Sequence, residues 1–392
     1  MEIIYSKNNT NKSKYLEYFN EENALKVNNF HSSFNEYEVT PLIELYELSK
    51  YLNVNKIYIK DESYRFGLNA FKVLGGSYSV ARYISKLLNK DISELPYNVL
   101  TSEEIKKQLG DLTFITTTDG NHGRGIAWTA NRLKQKAIVY MPKGSAIERL
   151  ENIRKLGATS EILDMNYDDC VRYSNDEALK NGYILVQDTA WEGYEEIPLW
   201  IMQGYMSMAY EAVNQIKEKP THVFLQAGVG AMSGAVTAYL RNTYGEDVKI
   251  IIVEPTNAAC IYESAKSGSI QFVKGDLQTI MAGLSCGEPC SIGWDILDTC
   301  ANAYVAMEDE IAAKGMRILG NPLGNDTRII SGESGACTLG FVAEILENKK
   351  YENIKKELEI DSNSIILCFS TEGDTDKENY RKIVWDGIYP NK

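Results

Sequence analysis

Lys72 stands in the stretch Asn69-Ala70-Phe71-Lys72-Val73-Leu74-Gly75-Gly76-Ser77, just after a polar loop over residues 61–69. Beyond it Val80, Tyr83, Ile84, Leu87 and Leu88 fall at i, i+3, i+4, i+7 and i+8, which predicts an amphipathic helix. The lysine therefore lies in the first turn, where the positive end of the helix dipole disfavours an ammonium. Held neutral, it is a nucleophile able to form a Schiff base with an aldehyde. A solvated lysine at a helix start is the ordinary alternative.

Four other stretches carry chemistry. Gly228-Val229-Gly230-Ala231-Met232-Ser233-Gly234 lies between an apolar run and a helical one. Such glycines let the backbone curl around a phosphate, which free N–H groups and the helix dipole then hold. With Glu254 at the end of the next strand, the same turn also fits a dinucleotide-binding oxidoreductase, although its spacing is G-x-G-x-x-x-G. A tight turn binding nothing is the third reading. Asp119-Gly120-Asn121-His122-Gly123 and Asp188 also follow strands, where loops line the ligand crevice of an open α/β sheet. Asn121 can hydrogen-bond a ring hydroxyl or a carboxylate, and Asp119 can accept a proton; helix capping is the plainer use of all three residues. Ser370-Thr371-Glu372-Gly373-Asp374 closes the set. A hydroxyl there can bind a pyridine nitrogen without fully protonating it, where an aspartate would enforce a stronger electron sink. A polar turn is the alternative.

The elements that must position these residues follow from hydrophobic patterning. Strands are expected at 56–60, 113–117, 136–141, 160–163, 183–187, 222–226, 249–254 and 364–369. Helices are expected at 44–51, from Lys72 onward, to Leu133, from a Ser145 cap to Leu156, at 168–180, at 191–216 and to Tyr239. Strands alternating with helices imply parallel sheets. The expected class is α/β, with two open, mostly parallel twisted sheets and helices on both faces. Residues 1–85 and 190–392 form the expected large domain, and 86–189 a small inserted α/β domain. Residues 90–111 hold no motif and read as a solvated face.

Composition removes several classes. A net charge of −13 over 392 residues argues against a nucleic-acid surface. No run approaches 18 apolar residues, so no membrane span is expected, and the opening residues lack a signal-like core. A cytoplasmic protein is the expectation. The seven cysteines contain no CxxC pair and there are three histidines, so no metal site is expected.

The motifs around Lys72, Asn121, 228–234 and Ser370, in this order and across most of the chain, resemble fold-type II pyridoxal phosphate enzymes such as threonine dehydratase and the tryptophan synthase β chain. Four stretches are most similar to the diaminopropionate ammonia-lyase family: Thr118-Asp119-Gly120-Asn121-His122-Gly123-Arg124-Gly125-Ile126-Ala127-Trp128, Gln187-Asp188-Thr189-Ala190-Trp191-Glu192-Gly193-Tyr194, Met281-Ala282-Gly283-Leu284-Ser285-Cys286-Gly287-Glu288-Pro289 and Thr371-Glu372-Gly373-Asp374-Thr375-Asp376. Dehydratases usually carry serine where this chain has Asp119. The resemblance implies pyridoxal 5'-phosphate held covalently by Lys72, with Asn121 at its 3′-oxygen. It also implies that the amides of Gly228, Val229, Gly230, Ala231 and Met232 hold its phosphate, and that Ser370, with Thr371 beside it, holds its ring nitrogen. Catalysis is implied for Lys72 on the L-isomer and Asp119 on the D-isomer, with Asp188 binding the distal ammonium. The implied substrate is a small amino acid, 2,3-diaminopropionate, and the implied assembly a homodimer. Cys260 and Cys286 are expected near the site entrance, as free thiols. A serine/threonine dehydratase, the oxidoreductase and a non-catalytic amino-acid-binding protein remain the alternatives.

Overall fold

The computed structural model describes residues 1–6, 12–118 and 120–390. Its strands are β1 (Glu2–Tyr5), β2 (Leu42–Glu44), β3 (Lys56–Asp61), β4 (Thr113–Thr117), β5 (Lys136–Met141), β6 (Thr159–Ile162), β7 (Ile184–Leu185), β8 (His222–Gln226), β9 (Lys249–Pro255), β10 (Ala303–Met307) and β11 (Ile365–Ser370). They form a seven-stranded sheet, β1-β10-β9-β8-β11-β3-β2, and a four-stranded sheet, β6-β5-β4-β7. Among the described residues, only the strands β1 and β2, at the edges of the larger sheet, run antiparallel to their neighbours. β8 and β11 are buried along their whole length. Helices covering both faces explain why these strands read as continuous apolar runs instead of alternating ones. β11 pairs with β3 from Ile365↔Lys56 to Ser370↔Asp61, and with β8 through Cys368↔Phe224. The carboxyl ends of β3, β11 and β8 are therefore side by side.

Glycines bring the helix Val73–Leu88 against one helix from each sheet. A Cβ on Gly75 would stand 2.6 Å from the Tyr205 ring, in the helix Glu196–Gln215. One on Gly125, in the helix Asn121–Arg132, would stand 2.9 Å from Val73 Cα. Backbones this close leave no room for a side chain, so Lys72 is gripped between the two layers.

The loop leading to Lys72 is anchored by a buried charge network. Arg65 donates to Glu62 and, through both terminal nitrogens, to Glu211 at 2.8 Å. Lys60 Nζ donates to Glu211 at 2.7 Å and to the Thr40 carbonyl at 2.7 Å. Two cations thus meet two carboxylates, which keeps the desolvation of each compensated. Further along, the Phe71 amide donates to the Thr371 carbonyl at 3.1 Å, and the Gly373 amide to the Asn69 carbonyl at 3.0 Å. The Lys72 loop is zipped to the segment after β11.

Several expectations change. Leu87 is 51% exposed, on the solvent side of the last turn before left-handed Asn89. Residues 42–51 split into β2, pairing with β3, and a short helix Tyr46–Tyr51. Residues 90–111 are not wholly solvated: short helices bury Ile92, Leu95, Leu100 and Ile105, one apolar residue per polar turn. Ser145 donates to the Pro142 carbonyl and caps nothing, since the next helix begins at Ile147 with Ala146 as its cap. The long helix begins at Glu196, after a turn in which Trp191 stacks on Tyr194. Between β9 and β11 the chain adds β10 and the helices Cys260–Ser267, Ser291–Cys300, Asp309–Gly320 and Glu333–Glu347.

Candidate active site

A cleft opens at the carboxyl ends of β8 and β11, with Lys72, Asn121, His122, Asp188 and the 228–233 turn in its walls. Lys72 is the residue that caps the helix Val73–Leu88, and its Nζ donates to Asp188 Oδ2 at 2.5 Å. Asp188 follows β7, so this ion pair joins the two sheets. Burial alone would raise the Asp188 carboxyl, but the Lys72 charge, the neighbouring His122 and the hydrogen bonds to the carboxylate together outweigh it and bring it down to about 2. His122 donates from Nε2 to the Val186 carbonyl at 2.8 Å, which places Nδ1 3.9 Å from the same carboxylate.

Asn121 is the first residue of its helix, and its Nδ2 donates to Glu372 Oε2 at 2.5 Å. Across the cleft, Gly230 takes φ +87° and caps the helix Ala231–Tyr244. A Cβ there would meet Ile261 at 2.8 Å, so glycine is required by conformation and by space. Among the described residues, the amides of 228–233 meet no protein acceptor. That is an anion cradle at a helix start.

Thr371 lines the cleft, with its Oγ1 accepting from Gln226 Nε2 at 2.8 Å. Ser370 does not line it: 1% exposed, it donates to Ser331 Oγ at 2.8 Å. Asp119 lies outside the described residues. Glu254 turns away to accept from the Ile261 and Tyr262 amides at 2.9 and 2.6 Å, capping the next helix. The carboxylate that the dinucleotide reading needs for a ribose is thereby occupied.

Residues 34–356 match the family model described as pyridoxal-phosphate dependent enzyme. The chain is 50% identical over 374 residues to a diaminopropionate ammonia-lyase of Escherichia coli K12, covering 94% of this chain and 93% of that one. The chain belongs to the pyridoxal-phosphate-dependent enzymes, in the diaminopropionate ammonia-lyase family. The crystal structure of the holo diaminopropionate ammonia-lyase of Escherichia coli superposes with a TM-score of 0.93 at 47% identity, covering 99% of this chain and 97% of that one. The same bacterium's enzyme in complex with an aminoacrylate-PLP azomethine reaction intermediate superposes at 0.91 with 46% identity, covering 99% and 97%. The lyase fold, two mostly parallel sheets with helices, is thus the fold-type II arrangement.

Pyridoxal 5'-phosphate is the cofactor of this family, and the cleft fits it. The open amides at 228–233 suit a phosphate, Lys72 suits an aldehyde, and the wall between them holds polar atoms awaiting partners. Ser334 Oγ and Gln226 Oε1 are both buried without a hydrogen-bond partner in that wall. Gln226, Ser334 and Tyr205 are lyase residues at the cleft that pattern reasoning missed. Gln226 left a trace, as the one amide ending the strand His222–Gln226 directly before the glycine turn. Ser334 left none, because it comes from a helix start between β10 and β11. Cys286 lines the cleft and Cys260 donates to the Gly228 carbonyl at 3.5 Å; neither forms a disulfide. Among the described residues no cluster of three His, Cys, Asp or Glu could hold a metal, and no helix is long and apolar enough to cross a membrane.

Proposed function

We propose that the chain eliminates ammonia from 2,3-diaminopropionate, as D- and L-isomers, to give pyruvate and two molecules of ammonia with the uptake of one water. The observation that carries this reading is the Lys72–Asp188 pair at 2.5 Å beside open amides at 228–233. A lysine, charged here as the partner of Asp188 and a nucleophile once it gives up its proton, thus shares one cleft with a buried carboxylate and a set of open amides. Pyridoxal phosphate, when bound, withdraws electrons from the substrate's Cα–H bond and so acidifies that hydrogen.

The protein's own residues do the rest. Lys72 holds the aldehyde carbon, and its Nζ, once displaced by the substrate amine, takes the α-proton of the L-isomer. Asp119 takes the α-proton of the D-isomer, which faces the opposite side. Asp188, buried and charged, binds the distal ammonium in place of the Lys72 charge it otherwise faces. Asn121 holds the 3′-oxygen, steered by Glu372, and the amides of Gly228, Val229, Gly230, Ala231 and Met232 hold the phosphate. Thr371, which lines the cleft, holds the ring nitrogen in preference to Ser370. The two sheets correspond to bodies of 1–85 with 190–392 and of 86–189, with the site between them. The assembly is a homodimer working in the cytoplasm.

Purified protein should be yellow and should release ammonia and pyruvate from either isomer. Hydroxy-substituted serine or threonine turned over faster than diaminopropionate would replace this reading with a dehydratase. Lys72→Ala should abolish the visible band of the bound cofactor. A band that survives, with no external amine present, would mean that another lysine holds it.

A further inference from the structure

Gln226 ends β8 at the floor of the cleft, 1% exposed. Its Nε2 lies 3.0 Å from the Ser334 carbonyl, 3.0 Å from the Phe369 carbonyl and 2.8 Å from Thr371 Oγ1. The two backbone carbonyls only accept, so they settle which end of the amide carries hydrogens. The two amide hydrogens are shared among three acceptors, of which Thr371 Oγ1 is the nearest, and the nitrogen offers no lone pair, so Thr371 Oγ1 accepts on that side and its own hydrogen must point elsewhere. Among the described residues the Thr371 hydroxyl donates to no protein atom, while neighbouring Ser370 donates to Ser331. The Phe71 amide holds the Thr371 backbone at 3.1 Å, which leaves the hydroxyl facing the cleft that Thr371 lines.

We propose that Gln226 is a positioning residue: it engages a lone pair of Thr371 Oγ1 and so makes that hydroxyl the hydrogen-bond donor to an unprotonated ring nitrogen of the cofactor. The inference rests on the proposed placement of Thr371 at that nitrogen. A second lone pair remains on the hydroxyl. A pyridinium N–H directed at it, however, would leave the hydroxyl hydrogen buried with no acceptor, which is the costly arrangement. Gln226 therefore sets the protonation state of the ring and restrains its electron demand from a distance.

The test uses cofactor binding and ring protonation instead of turnover. Thr371→Val and Gln226→Leu should each weaken pyridoxal phosphate binding to the cofactor-free protein by about tenfold, the worth of one hydrogen bond. Because both act through one hydroxyl, the double variant should also lose about tenfold; a loss of about a hundredfold, the product of independent effects, overturns the pairing. Gln226→Leu also strips donors from two carbonyls, so a measurement on the unaltered protein stands beside it. Loaded with ring-15N pyridoxal phosphate, the wild type should show the nitrogen resonance of a hydrogen-bonded neutral pyridine. A pyridinium resonance overturns the inference alone. Failure of the wild type to take up the cofactor would overturn the functional reading and this inference with it.

Discussion

The Lys72–Asp188 pair can be weighed directly. Its carboxyl falls from the ordinary 3.8 to about 2. At about 1.4 kcal/mol per pH unit, that is about 2 kcal/mol of preference for the charged form in the folded chain. A carboxyl depressed in this way stabilises the fold above pH ~4. The contribution fades as pH falls through the folded value near 2. Asp188→Asn keeps the shape and removes the charge. In cofactor-free protein at pH 7 it should lower the unfolding free energy by about 2 kcal/mol. Lys72→Met leaves the buried carboxylate without its cation and should cost more, about 3 kcal/mol. In that background Asp188→Asn should restore stability, because it removes an uncompensated buried charge. Urea unfolding of the four proteins of this cycle measures the coupling. If the two losses simply add, with coupling below ~0.5 kcal/mol, the pair contributes nothing and the electrostatic argument fails.

Gly125→Ala sets a Cβ 2.9 Å from Val73 Cα and 3.0 Å from its nitrogen, backbone atoms that cannot turn aside. It should cost about 1–3 kcal/mol in thermal unfolding and reduce elimination by displacing Lys72; unchanged turnover would mean that this seam does not hold the lysine. Glu211→Gln leaves Lys60 and Arg65 sharing Glu62, and should cost about 3–5 kcal/mol in urea unfolding. The Glu211 carboxyl, despite burial, is held below its ordinary value by Arg65 and Lys60. The wild type should therefore lose that stability as pH falls below the ordinary carboxylate range, a loss that Glu211→Gln should not show. Asp119→Asn should suppress ammonia release from D-diaminopropionate far more than from the L-isomer; equal losses would refute the division of labour.

Several strands were legible because buried parallel strands leave short apolar runs. β5, β8 and β9 announce themselves in this way, with Ala137–Met141, Val223–Leu225 and Ile250–Val253, and the polar residues just past the strands define the site. Sequence distance hid the remainder. Glu254 stands where a ribose-binding carboxylate would, and only the path of residues 255–262 shows it capping a helix. Ser370 and Thr371 are adjacent hydroxyls, and the pleat decides which faces the cleft. Ser334 and Tyr205 enter from helices whose patterns say only that they are buried. Leu87 repeats the helical spacing of its neighbours, yet it falls on the solvent side of the final turn.

β11 lies between β3 and β8, although some 140 residues separate it from the nearer of them in the chain. During synthesis the other strands of its sheet emerge first, and two of them wait with open edges. The cradle after β8 and the lysine after β3 can exist as pieces before then. They cannot be brought to a common distance until residue 370 has arrived and the last parallel strand has slid between them. Such a long-range closure is slow, and its open edges invite pairing with another chain. Competence to bind the cofactor is therefore acquired in one late event, and a nascent chain halted before β11 would be exposed to aggregation while still unable to bind the cofactor.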